Sequence, residues 1–202
     1  MERDNSFLAV RRQFLRTWGA VPLALASSGM ALPAWAQAVP TPECGDGDDP
    51  TPRQMEGPFF KPRTPQRTSL LEPGTKGTRF VLTGLVLSTA CKPVAGALLD
   101  FWQADDHGDY DNQGYRLRGH QFSDGDGRYR LETIVPGLYP GRTRHIHVKV
   151  QGPNRPALTT QVYFPGEAQN EDDFLFRPDL LVKIRSGGGA RDGRFDFVLK
   201  LA

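Results

Sequence analysis

Residues 127–150 read GRYRLETIVPGLYPGRTRHIHVKV, two short β-type runs joined by a turn-rich segment. Tyr129 to Ile134 and Ile146 to Val150 are too short for helices, rich in apolar and β-branched residues, and bounded by Gly, Pro and charged residues, so they read as strands. Between them lies Pro136-Gly137-Leu138-Tyr139-Pro140-Gly141, in which Pro140 biases Tyr139 toward an extended backbone and so restricts where its phenol points. The strand that follows opens His145-Ile146-His147. A period of two turns both imidazoles to one face and Ile146 to the other, which is metal-ligand spacing on a strand. Taken alone, the same pattern also describes a pair of surface histidines, and Tyr139 alone a tyrosine packing the edge of a core.

The same texture extends in both directions. From Gly77 onward, short runs at Phe80 to Leu87, Ala97 to Trp102, Leu158 to Phe164 and Phe195 to Leu201 are separated by Gly, Pro and Asp clusters, and no stretch has convincing helical periodicity. Glu171 to Phe176 has room for one turn. Many short strands at this spacing predict an all-β fold, a two-sheet β-sandwich with long loops. Upstream, Val39 to Pro65 is rich in Pro, Gly, Asp and Thr and reads as an extended arm lying across the domain, anchored by Phe59 and Phe60. The organisation expected is a leader over residues 1–36, the arm over 37–77 and the sandwich over 78–202.

The leader is read from Arg11-Arg12-Gln13-Phe14-Leu15, a paired arginine followed by an apolar stretch from Trp18 to Trp35 that Pro22, Pro33, Gly19 and Gly29 interrupt. Ala34-Trp35-Ala36 offers a peptidase site, with Ala36-Gln37-Ala38 a second. This pattern predicts export by the twin-arginine route to the periplasm or beyond, which carries proteins already folded and suits a chain that takes up a metal first. The first 36 residues hold four basic and two acidic residues, leaving 21 of each sign in the remainder of a chain of net charge +2. A balanced chain without a Lys/Arg cluster offers little to a phosphate backbone or an anionic membrane, so neither nucleic acid nor, after leader removal, a membrane is an expected partner. The two cysteines, Cys44 and Cys91, read as a disulfide tying the arm to the domain, or as two free thiols.

A second constellation lies where the run ending at Trp102 gives way to a polar loop, WQADDHGDYDN (Trp102 to Asn112), which brings a second tyrosine, Tyr110. This run, residues 127–150, TTQVYFPGE (Thr159 to Glu167) and the arm's Glu56-Gly57-Pro58-Phe59-Phe60 together resemble the intradiol ring-cleavage dioxygenases, the family of protocatechuate 3,4-dioxygenase and catechol 1,2-dioxygenase. Order and spacing agree over most of residues 53–166. The resemblance implies a non-haem ferric iron held by Tyr110, Tyr139, His145 and His147, with Arg142 and Gln161 facing a catechol-type substrate. It further implies that Tyr139 leaves the metal when substrate binds and takes up a substrate proton, that Arg142 stabilises negative charge on the ring, and that dioxygen is inserted to give a muconate-type diacid. Phenolate is a hard anionic donor that suits ferric iron, in keeping with that ligand set.

Catechol-specific members carry a helical N-terminal region for which this chain shows no pattern, which leaves a monomer or a homodimer open. Substrates from catechol to larger lignin- or tannin-derived catechols also stay open, with Arg67, Arg79 and Arg144 as candidates to meet a substrate carboxylate. Two rival readings remain: a non-catalytic sandwich binding aromatic or plant-polymer ligands, and a zinc hydrolase using His145, His147 and a carboxylate such as Asp109. Asp109 to Gly114 partly mimics a calcium loop but has His120 where the closing glutamate belongs. His107 and His120 read as solvated loop residues, Ser123 to Gly127 as a turn between strands, and Trp102 as a core anchor.

Overall fold

The computed structural model describes residues 49–185 and 191–201. The leader, its cleavage sites and Cys44 lie outside them. Among the described residues there are nine strands: β1 (Arg79–Ser88), β2 (Leu98–Trp102), β3 (Arg118–Phe122), β4 (Arg128–Ile134), β5 (His145–Gln151), β6 (Leu158–Tyr163), β7 (Lys183–Arg185), β8 (Arg191–Arg194) and β9 (Phe197–Leu199). They form two sheets, one of four strands in the order β3-β2-β5-β6 and one of five in which β4, β1, β8 and β7 are successive neighbours and β9 also pairs with β1. The expected all-β sandwich is therefore found, with helix limited among the described residues to two short 3₁₀ turns at Ala168–Asn170 and Pro178–Leu180.

The apolar sets of the two sheets face each other. Leu82, Leu131 and Phe197 come from one sheet and Leu99, Phe101, Ile146, Val148, Val150 and Val162 from the other, all essentially inaccessible to solvent. In β5 this alternation fixes the register. A slip by one residue would expel Ile146, Val148 and Val150, each worth about 1.5–3 kcal/mol when buried, and drive two imidazoles into the core instead.

β8 and β9 run one after the other along the same edge of β1, interrupted at Phe195 and Asp196. The Leu85 amide donates to Asp196 Oδ1 at 2.8 Å across the gap, and the Tyr129 hydroxyl donates to Phe195 O at 2.8 Å. A Cβ on Gly84 would sit 1.7 Å from Phe195 O, so only glycine allows the backbones to meet.

The arm ties these layers together from outside. Its amides and carbonyls bond Val198 at residue 51, Thr159 of β6 at residue 54, His120 of β3 at residues 65 and 67, and Glu132 of β4 at residues 68 and 70. It thus passes over the solvent-side face of the four-stranded sheet from β6 to β3. His120 is accordingly a half-buried member of β3, bonded through Nδ1 to Thr64 O at 2.8 Å, and not the solvated loop residue expected. Cys91 is disulfide-bonded.

Candidate metal centre and active site

The pairing of the four-stranded sheet sets one row of side chains across its outer face: Arg118 of β3 opposite Trp102 of β2, Trp102 opposite His147 of β5, and His147 opposite Gln161 of β6. Trp102 is buried, as expected of an anchor, but on the outer face of this sheet and not in the cluster between the sheets. Its ring lies flat against the His147 imidazole, with centroids 4.8 Å apart and planes within 5°, and Phe60 of the arm packs edge-on against its indole.

His145 and His147 bring their Nε2 atoms to 3.1 Å from each other, and the Tyr110 hydroxyl lies 3.3 Å from His145 Nε2. His145 Nδ1 is 2.6 Å from Thr143 O. A carbonyl only accepts, so Nδ1 holds the proton and the lone pair is on Nε2, facing inward. His147 Nδ1 is buried without a hydrogen-bond partner, so this ring is oriented by stacking on Trp102 instead. Burial pushes the His145 pKa down to about 4, with the Arg142 charge adding to the effect, and holds His147 well below its usual range. Both imidazoles are neutral at ordinary pH, the state a metal requires of them. Burial raises the Tyr110 phenol above its usual value, against the opposing pull of Arg142 and Arg118.

Tyr139 stands beside this group, its ring 6.0 Å from that of Tyr110 and 5.4 Å from that of Phe59, which itself stacks on Tyr110 at 4.3 Å. The two tyrosine-bearing segments meet backbone to backbone. Gly137 N donates to Asp105 O at 2.6 Å, a Cβ on Gly108 would fall 2.1 Å from Leu138 O, and one on Gly137 would fall 2.3 Å from Gly108 N. Asp105 closes its own loop by accepting the His107 and Asp109 amides at Oδ1, both at 3.0 Å.

Arg142 and Gln161 meet one another as well. Arg142 Nη2 donates to Gln161 Oε1 at 2.6 Å, and Arg142 Nε to Asp173 Oδ2 at 2.8 Å. Asp173 is 6 % exposed and also accepts the Thr143 and Leu175 amides. Tyr163, its hydroxyl pushed up to about 12 chiefly by burial, donates to Gln161 Oε1 at 2.9 Å. All six residues singled out from the sequence are thus brought to one place. Asp173, Tyr163, Phe59 as a ring over Tyr110, and Trp102 as a wall of the site were not foreseen in these roles.

The donor chemistry fits a hard, oxidised metal ion: two neutral imidazoles that turn their Nε2 atoms to one point, with two phenols beside them. Among the described residues, no group of three or more His, Cys, Asp or Glu side chains is placed to hold a metal. The zinc-hydrolase reading required such a group. Asp109 is exposed, and Asp111 caps its own loop through the Gln113, Gly114 and Arg116 amides, so the calcium reading loses the Asp111 carboxylate to a local turn. Of the arginines offered to a substrate carboxylate, Arg144 is committed to Glu167 and Pro136 O, and Arg67 to Glu72, Tyr115 O and Arg118 O.

A family model described as dioxygenase matches residues 55–200. The chain belongs to the intradiol ring-cleavage dioxygenases. It is 30% identical over 162 residues to a catechol 1,2-dioxygenase of Pseudomonas sp. strain EST1001, covering 66% of this chain and 54% of that protein. It is 35% identical over 119 residues to the protocatechuate 3,4-dioxygenase beta chain of Burkholderia cepacia, covering 50% and 51%. The chain therefore spans about half the length of these two relatives. Among solved structures of intradiol dioxygenases and related proteins, it is similar to the dioxygenase domain of a dioxygenase–carbohydrate-binding protein fusion from Streptomyces sp. SirexAA-E. That match has 61% identity and a TM-score of 0.74 over 76% of this chain and all of that one. Hydroxyquinol 1,2-dioxygenase from Pseudomonas putida DLL-E4 matches at 26% identity and a TM-score of 0.68, over 75% of this chain and 67% of that one.

Proposed function

We propose that this protein cleaves a catechol-type aromatic between its two hydroxylated carbons, using dioxygen and a non-haem ferric iron held by Tyr110, Tyr139, His145 and His147. The observation that carries the reading is the convergence of Tyr110 Oη, His145 Nε2 and His147 Nε2 within 3.1–3.3 Å contacts, with Tyr139 beside them. The reaction balances as catechol plus dioxygen giving a muconate-type diacid. One ring carbon–carbon bond breaks, each of its carbons gains one oxygen atom, and dioxygen is the oxidant consumed.

Ferric iron held by Tyr110, Tyr139, His145 and His147 would supply Lewis acidity toward a deprotonated catechol. The chain's own residues do the rest. Tyr139 Oη, on a half-exposed turn, receives a proton from a substrate hydroxyl. The Arg142 guanidinium, locked by Asp173 and Gln161, faces the ring with a fixed orientation and stabilises negative charge as the ring acquires keto character. Phe59, Phe60 and Trp102 close the arm side of the site and exclude water there.

The test is product analysis with catechol under ¹⁸O₂. The expected product is muconic acid carrying both labelled atoms; a semialdehyde from cleavage beside the diol, or no ring opening by the iron-loaded protein, sinks the proposal.

Export through the twin-arginine route is proposed from Arg11-Arg12 and the interrupted apolar stretch that follows. Cell fractionation of a double R11K/R12K variant is expected to find precursor retained in the cytoplasm, whereas undiminished export would contradict that route.

A further inference from the structure

Three members of the row across the four-stranded sheet already have work at the site, Trp102, His147 and Gln161. The fourth, Arg118, is wholly inaccessible to solvent, yet none of the ion pairs among the described residues includes it. Its Nε donates to Asp111 O at 3.1 Å and its Nη1 to Phe59 O at 2.5 Å, while Nη2 is buried without a partner. Its hydrogen bonds go to carbonyls alone, with the Asp111 and Asp100 charges acting on it without an ion pair, and a cation so buried is costly relative to an apolar side chain of the same volume. The fold bears that cost at one particular place.

The two carbonyls belong to segments that approach each other at Tyr110. Asp111 is the residue after Tyr110, and Phe59 lays its ring on the Tyr110 ring at 4.3 Å and 11°. Arg118 is itself fixed from behind: Arg67 Nε and Nη2 both donate to Arg118 O, at 2.9 and 2.7 Å, and Leu117 before it holds a left-handed backbone with φ of 54°.

We propose that Arg118 is the positioning residue of Tyr110. By joining the backbone of the Tyr110 loop to that of the arm, it clamps the phenol between Phe59 and the imidazoles and sets where Oη stands. The inference rests on Tyr110 being a metal ligand, and its test reads the metal-free protein first, so that the two claims fail separately.

Arg118→Lys keeps a buried cation but cannot span both carbonyls. In the metal-free variant, amide hydrogen exchange is expected to accelerate about tenfold or more in residues 57–61 and 109–114 together, while β1 and β4 stay protected. Phe59→Ala, which removes the ring and leaves both Arg118 bonds, is expected to accelerate 109–114 alone. In iron-loaded Arg118→Lys the visible band is expected to shift and weaken per iron bound, a signature that loss of general stability would not give. Unchanged exchange in the two segments, acceleration spread evenly over the strands, or an unmoved band per iron would each overturn the assignment. Wild-type protein that binds no iron would instead sink the metal reading and leave the exchange result to judge Arg118 by itself.

Discussion

Arg142 is useful only in one orientation, and Asp173 supplies it: a carboxylate buried at 6 % exposure, accepting Arg142 Nε at 2.8 Å and the Thr143 amide at 3.0 Å. Arg142→Ala is expected to retain iron while turnover falls by about 100-fold or more, the scale for removing one charge stabiliser of the transition state. Asp173→Asn, which keeps an acceptor but not the ion pair, is expected to lose roughly tenfold. Steady-state rates beside metal analysis check both, and unchanged turnover in Arg142→Ala would remove it from the mechanism. The histidines carry a pH dependence whose sign is fixed. The folded His145 pKa lies near 4, below its ordinary 6.5, so between those values the unfolded chain binds a proton that the folded one does not. The metal-free protein should therefore lose up to ~3 kcal/mol as pH falls from about 6.5 to about 4, with His147 adding in the same direction. Urea unfolding across that range checks it; a flat profile would contradict the burial argument. At this scale the two histidines, both tyrosines, Arg142 and Gln161 were legible because each falls in a motif. Asp173 was not, since nothing in Glu171-Asp172-Asp173 separates it from its neighbours until the loop after β6 folds back on Thr143.

The loop bearing Tyr110 and the turn bearing Tyr139 depend on each other through two glycines. Because Gly108 has φ of 94° and a Cβ there would meet Leu138 O at 2.1 Å, Gly108→Ala should separate the two tyrosines and cost about 2 kcal/mol or more in stability. Gly137→Ala should act alike through Gly108 N, and iron retention after dialysis reads both. Full retention in both variants would show that the tyrosines do not need this contact. Six strands were readable from apolar runs. β3 was not, since in RGHQF the outward residues Arg118 and His120 are polar and covered by the arm, while Gly119 and Gln121 face the other way. β8, RDGR, has no apolar residue and is a strand because it pairs with β1 on one side and β7 on the other.

Taken as a whole, the sandwich supplies a rigid sheet whose outer face carries the site, and the arm supplies the roof. The sheet register aligns Arg118, Trp102, His147 and Gln161 in one row, and the arm brings Phe59 onto Tyr110 and Phe60 onto Trp102. An extended arm was legible from its Pro- and Gly-rich composition. Its path was not, because that path follows from strand edges and carbonyls distant in sequence, such as the 2.8 Å bond from the Gln54 amide to Thr159 O. Under the proposed function, two phenols and two imidazoles form a ferric centre open to a catechol. The visible absorption spectrum of the purified protein with its metal content, before and after anaerobic addition of catechol, decides whether that centre exists. A tyrosinate-to-iron band at about one iron per chain, moving to longer wavelength with catechol, is the result expected; a colourless protein after iron reconstitution, or a band indifferent to catechol, would contradict it.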